Sequence, residues 1–146
     1  MNNKIKITNL TGVEILLIVH QLLLGIMFEG RGIFWFVNQH SVLSDSPLYV
    51  TLHSVMPIWL WGLFIMITGF FIIVSALYVP FLNINNKFYT YSFIGTTSSM
   101  IFYFIMLSAS LDNNINWLTP FNFLVQTTWA FLISFISGWK LYERRK

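Results

Sequence analysis

Glu14 is the only acidic side chain inside the first long apolar run of the sequence, and an ionisable group in an apolar segment is costly enough to demand a reason. At about 100° per helical residue it shares a face with Gln21 and Gly25, which makes one polar stripe. His20 falls roughly 120° from that stripe by the same geometry. Two chemistries fit. Glu14 and Gln21 could line a proton- or cation-coupled path, or Glu14 could reach water and a nearby Lys at the segment's end while Gln21 bonds a neighbouring helix.

The other candidates are weaker. His20, His40 and His53 with Glu29 and Asp45 could be assembled into a metal or haem site, but no His-Glu-x-x-His spacing occurs. A membrane haem needs facing histidines on two helices, and only His20 lies well inside an apolar run. No Gly-x-x-x-x-Gly-Lys loop, Gly-x-Ser-x-Gly elbow or Ser/His/Asp set is present, so neither an enzyme nor a cofactor is expected. Lys140, Arg144, Arg145 and Lys146 close the sequence. They read as a contact for anionic lipid or a cytoplasmic partner, or simply as an orientation signal.

The elements that carry these residues follow from composition. The 146 residues are 56% apolar and 18% aromatic but only 9% charged, against roughly 25% charged in soluble domains. One core of this size cannot hide 15 Phe, 6 Trp and 6 Tyr beside long Leu/Ile runs, so lipid must act as a second apolar solvent. The formal charge of +3 is not gathered into a nucleic-acid-binding patch; the basic residues sit at helix ends. The chain has no cysteine, which excludes disulfides and thiolate chemistry.

The expected fold is all-α: an antiparallel bundle of four membrane-spanning helices in one domain. The spans are placed at about 10–28, 57–82, 88–111 and 120–139, with an outer loop over 29–56. Pro57 suits the opening of the second span and Pro80 should end or kink it. Thr119 is the expected N-cap of the fourth. Within the outer loop, Ser46 and Pro47 announce a short helix presenting Leu48, Leu52 and Val55, placed on the membrane surface. The apolar stretch after Gly32 either extends the first helix, dips into the interface or covers the bundle top.

Lys4, Lys6, Lys87, Lys140, Arg144, Arg145 and Lys146 fall on one side of these spans and Arg31 alone on the other. Both termini are therefore expected in the cytoplasm, in the cell membrane, with the loop around Asp112-Asn113-Asn114 outside. Trp35, Trp59 and Trp117 would mark the outer interface, and Tyr78, Tyr89, Tyr91, Trp139 and Tyr142 the inner one.

Helices associate in lipid through close approach at small residues. The second span offers Gly62, Gly69 and Ala76, the third Ser92, Gly95 and Ser99, and the fourth Thr127, Ala130, Ser134 and Gly138. These stripes pack the bundle internally, or leave a seam over for association between copies.

Four helices with an acid in the first is also the plan of the small multidrug-resistance transporters. Glu14 lies too near its helix end, the outer loop is too long, and the other spans lack a partner charge, so that assignment is not adopted. Met56-Pro57-Ile58-Trp59-Leu60-Trp61-Gly62, opening the second span after a long outer loop, resembles small four-span membrane proteins of bacteriophages of Gram-positive hosts. The resemblance implies a phage source, and some such proteins are holins or holin accessories. The expected function is thus non-enzymatic: assembly in the lipid bilayer, with itself as a holin-like lesion or with another envelope protein, and no nucleic-acid partner. The alternative is a small proton- or cation-coupled transporter or channel using Glu14.

Overall fold

The computed structural model describes residues 10–113 and 116–146, and Lys4, Lys6 and Asn114 lie outside that set. Six α-helices account for nearly all of it: α1 Gly12–Val37, α2 Gln39–Asp45, α3 Pro47–Val55, α4 Ile58–Leu77, α5 Lys87–Asn113 and α6 Leu118–Glu143. Four of them, α1, α4, α5 and α6, are long and apolar enough to cross a bilayer. With apolar side chains such as Leu16, Leu23, Phe70, Phe104 and Phe135 turned outward, this is a multi-pass membrane protein.

Local chemistry sets the helix ends. Thr11 caps α1 by accepting from Glu14 N–H at 3.3 Å, while the Thr11 N–H donates to Glu14 Oε2 at 2.8 Å, a reciprocal capping box. Ser46 caps α3 by accepting from Leu48 N–H, with Pro47 at the first helical position as expected. Pro80 stops α4, and the chain tightens into a 3-10 turn over Val79–Phe81. α6 opens before the expected Thr119 cap: it starts at Leu118, whose N–H donates to Asn116 Oδ1 at 3.0 Å, and Pro120 falls within its first turn.

α1 continues to Val37, so the stretch after Gly32 extends the first helix, one of the three expected alternatives; the largest departure is that Glu29, Gly30 and Arg31 are helical rather than the start of a loop. The expected outer loop therefore shrinks to the stretch carrying α2 and α3. These fold onto the bundle top: Val42, Leu48 and Leu52 are buried, Val55 stays exposed, and α3 packs against α5. Trp61 Nε1 donates to Leu52 O at 3.1 Å, pinning the cap to α4. Trp35 is an internal residue rather than an interface marker. It is 3% exposed, edge-on to Tyr49 and against Phe102.

α1 and α4 pair most intimately. The buried residues of α1 (Gln21, Gly25, Phe28, Gly32 and Trp35) recur at alternating spacings of four and three, the signature of one packing face. Gly25 lies against Gly69 and Gly32 against Gly62, so the two helices cross antiparallel at two backbone-to-backbone contacts. On the other side of α4, Gly95 of α5 admits Ile72 and Phe71. α5 and α6 are joined by a 2.6 Å hydrogen bond between Thr97 and Ser134 hydroxyls and by Ser137 Oγ donating to Ser92 Oγ at 3.2 Å. Gly138 accommodates the ring of Phe93. The order in space is α1–α4–α5–α6, and α1 and α6 hardly touch at the backbone.

Candidate functional site

Depth in the bilayer can be read from the glycine crossings. α4 has 20 residues, which at 1.5 Å per residue gives about 30 Å, one hydrocarbon thickness. Its middle lies near Ile67 and Thr68, and the Gly25/Gly69 and Gly32/Gly62 pairings put Ile26 and Met27 of α1 opposite. Glu29 is then about 4 Å from mid-bilayer and Arg31 about 7 Å, by the helical rise. Two charges assigned by sequence to the outer loop thus lie inside helix α1, within the central half of the length of α4. The flanking Gly30 and Gly32 read as turn residues; Gly32 in fact serves the close approach of α1 to α4.

Glu29 and Arg31 point to opposite flanks of α1, since two residues turn a helix by about 200°. The Glu29 carboxylate lies over Gly69, 3.1 Å from where a Cβ would stand, and borders an outward groove with Leu63, Met66, Ile67 and Phe70. Leu63, Ile67 and Phe70 are exposed, so this groove opens to lipid. Arg31 lies on the other flank, near the phenols of Tyr49 and Tyr103. In the cap, burial pushes the Tyr49 phenol above its usual range, with Arg31 pulling it down and Asp45 pushing it up. Both charged side chains are half-buried, and among the described residues neither joins an ion pair; the one such pair is Lys140–Glu143 at 2.7 Å.

The expected polar stripe of α1 separates into residues with different tasks. Glu14 turns back onto Thr11 as a cap and does not reach Gln21. His20 places its ring edge-on to Trp129 of α6, with ring centroids 5.6 Å apart, bridging the gap between α1 and α6. His53 accepts from Ile58 N–H through Nδ1 and holds the turn into α4. Gln21 is 1% exposed, and among the described residues its Oε1 has no hydrogen-bond partner.

Gln21 also borders a partly open cavity of about 210 Å3 lined by α1, α5, α6 and the turn after α4. Ser92 and Ser137 complete its polar floor, and Leu17, Leu82, Phe88, Ile133 and Ile136 its apolar walls. Tyr89 stands at the rim, with the Arg144 guanidinium 5.0 Å from its ring centre. The cavity occupies the one side of the bundle where the outer helices do not close on each other. A larger groove of about 390 Å3 runs between Met100, Ile101, Phe104 and Phe131, but it is nearly all apolar. Its Thr127 and Thr128 hydroxyls already donate to Phe123 O and Leu124 O.

The packing residues read from sequence have internal neighbours. Gly62 and Gly69 face α1; Ala76, Ser92, Ser99, Ala130 and Ser134 are buried; Gly95 and Gly138 receive side chains of neighbouring helices. Their counterpart on α1, Gly25 and Gly32, was missed, although it repeats the seven-residue spacing of Gly62 and Gly69. Ser99 Oγ and Gln126 Oε1 join Gln21 Oε1 as buried side-chain oxygens without a partner among the described residues. At the basic end, Lys140 pairs with Glu143, and Arg144 donates to Asn85 O and Asn86 Oδ1. Lys146 lies over Tyr142, and Lys87 over Tyr78. Three of the four expected lipid-contacting cations, Lys140, Arg144 and Lys146, therefore also have partners within the chain.

Comparison with protein families, with characterised proteins and with solved structures gives no match.

Proposed function

We propose that this is a non-enzymatic membrane protein that assembles with further copies of itself, Glu29 of one copy meeting Arg31 of the next. The observation that carries the reading is a pair of opposite charges on opposite flanks of one helix, at nearly one depth, with no ion pair among the described residues. A lone Arg or Asp at the centre of a spanning helix costs about 2.5–3.5 kcal/mol on insertion scales, so a mutual partner is favoured.

Copies inserted in the same direction bring Glu29 and Arg31 to within about 3 Å of the same depth. Because the two flanks differ, the contact is head-to-tail, and it closes into a ring when the rotation per copy permits. The small-residue seams are occupied inside the chain, which leaves the charges as the stronger candidate contact. Lys87, Lys140, Arg144, Arg145 and Lys146 share one end of the bundle, and the α2/α3 cap has no Lys or Arg. That asymmetry favours cytoplasmic termini in the cell membrane. The likeness of Met56–Gly62 to phage membrane proteins names the activity to test, a holin-like lesion. A transport path through Glu14 has less support, because that carboxylate caps its own helix.

Native mass spectrometry of the chain in lipid nanodiscs, paired with a membrane-potential dye during regulated expression in a bacterial host, tests both levels. Expected are a homo-oligomer and a collapse of potential, both lost in Glu29→Leu and Arg31→Leu. Glu29→Leu puts an apolar side chain in the outward groove, and Arg31→Leu removes a half-buried charge that has no ion pair among the described residues, so the fold should survive both. A monomeric parent chain, or a complex with a different membrane protein, overturns self-assembly; an oligomer that leaves the potential intact overturns the lesion.

A further inference from the structure

The cavity between α1, α5 and α6 has a composition that self-assembly does not use. Its floor holds three side chains that are almost wholly buried: Gln21, Ser92 and Ser137. Ser92 and Ser137 satisfy each other, whereas Gln21 Oε1 has no partner among the described residues. An amide oxygen in this position calls for a hydrogen-bond donor. The volume of about 210 Å3 far exceeds that of one water and matches a group of roughly ten heavy atoms at packed-interior density.

Position adds the second half of the chemistry. Gln21 lies about 8 Å from mid-bilayer on the basic side, by the same helical reckoning, so the cavity reaches from there toward the headgroup layer. At its rim, Arg144 lies over Tyr89 and is anchored by Asn85 and Asn86. Only Nη1 makes those bonds, and among the described residues the other guanidinium N–H groups have no hydrogen-bond acceptor, which leaves them to an anion. The site thus offers a hydroxyl acceptor at depth, apolar walls, and a cation at the mouth.

We infer that this cavity binds a polyol phosphate group, its hydroxyls donating to Gln21 Oε1 and exchanging with the Ser92/Ser137 pair while its phosphate faces Arg144. Two sources carry that chemistry: the headgroup of an inner-leaflet phosphatidylglycerol, intercalated between α1 and α6, and free glycerol phosphate. Basic pockets between membrane helices are established sites for anionic headgroups. The inference concerns different residues from those at the proposed self-contact.

The test uses the full chain in phosphatidylcholine nanodiscs doped with phosphatidylglycerol, with bound lipid counted by native mass spectrometry. The parent should retain phosphatidylglycerol in preference to phosphatidylcholine. Gln21→Leu should weaken retention about tenfold, through loss of the deep hydrogen bond. Ile133→Phe, which fills the cavity and leaves Gln21 in place, should abolish it, and Leu132→Ala on the lipid face should change nothing. Displacement of the lipid by added glycerol phosphate would identify the free compound as a competent source, and its failure would assign the site to the lipid. Equal retention of the two lipids, or retention unchanged in both cavity variants, overturns the inference and leaves ordinary boundary lipid. Binding lost in Gln21→Leu but unchanged in Ile133→Phe would overturn it as well, because the ligand would then lie outside the cavity.

Discussion

Gly32 and Gly62 meet backbone to backbone: a Cβ on either would stand 2.7 Å from the carbonyl oxygen of the other. No rotamer relieves such a clash, because the obstructing atom is main chain. Gly62→Ala should therefore push α1 away from α4 and destabilise the bundle by about 1–3 kcal/mol, the usual range for overpacking. Gly12→Ala, where a Cβ meets nothing within 4 Å, is the matched control. Unfolding by titrated denaturing detergent, followed by Trp fluorescence, reads the difference.

The depth of Glu29 is open to direct chemical test because the chain has no cysteine of its own. Glu29→Cys should resist a membrane-impermeant maleimide added to intact cells, whereas Asp45→Cys in the cap should label readily. Rapid labelling of Glu29→Cys would return that residue to an outer loop.

Exchanging the charges separates pairing between copies from incidental effects of either residue. Glu29→Lys alone and Arg31→Glu alone should each dissociate the assembly, since like charges then meet in lipid. Combining Glu29→Lys with Arg31→Glu in one chain should restore it, read as the mass of the complex in nanodiscs. A double variant no better than either single one would remove the pairing.

Trp61 ties the cap to α4 by donating to Leu52 O, a buried bond. Trp61→Phe keeps much of the ring packing but removes the indole bond, leaving the Leu52 carbonyl with Met56 N–H alone, at a cost of about 0.5–1.5 kcal/mol. The loss should appear as faster hydrogen exchange in α3 and as new protease cleavage between α2 and α3, with the spans unaffected.

The Thr11–Glu14 capping box makes a modest and local contribution. Thr11→Ala should cost about 1 kcal/mol and speed hydrogen exchange only over the first turn of α1. A Glu14→Gln chain should retain both assembly and its effect on membrane potential. Loss of either activity in that variant would reinstate Glu14 as a functional acid.

Much of this architecture is written plainly in the chain, because apolar runs of spanning length and the Ser46-Pro47 and Pro80 signals act locally. The Gly62/Gly69 stripe was equally legible, since heptad spacing of small residues has few other uses in lipid. Glu29 and Arg31 were misplaced for a physical reason: charges beside glycines ordinarily mark the end of a span. The corrective signal was present in the run Gln21, Gly25, Phe28, Gly32, Trp35, whose spacing continues unbroken past both charges. The cavity could not be read at all, because it arises where α1 and α6 fail to close, a property of four helices together.

The helices that cross the bundle are unequal in length. α4 has 20 residues against 26 in α1, 27 in α5 and 26 in α6. Longer helices can tilt to fit a thin bilayer, but α4, ended by Pro80, cannot stretch to fit a thick one. Hydrophobic thickness is therefore matched at α4, the helix that carries both glycine crossings and borders the Glu29 groove. In a sterol- or long-chain-rich membrane the lipid would have to thin around that side. Bilayer thickness thereby acts on this fold through its shortest spanning helix, while the three longer ones have length to spare.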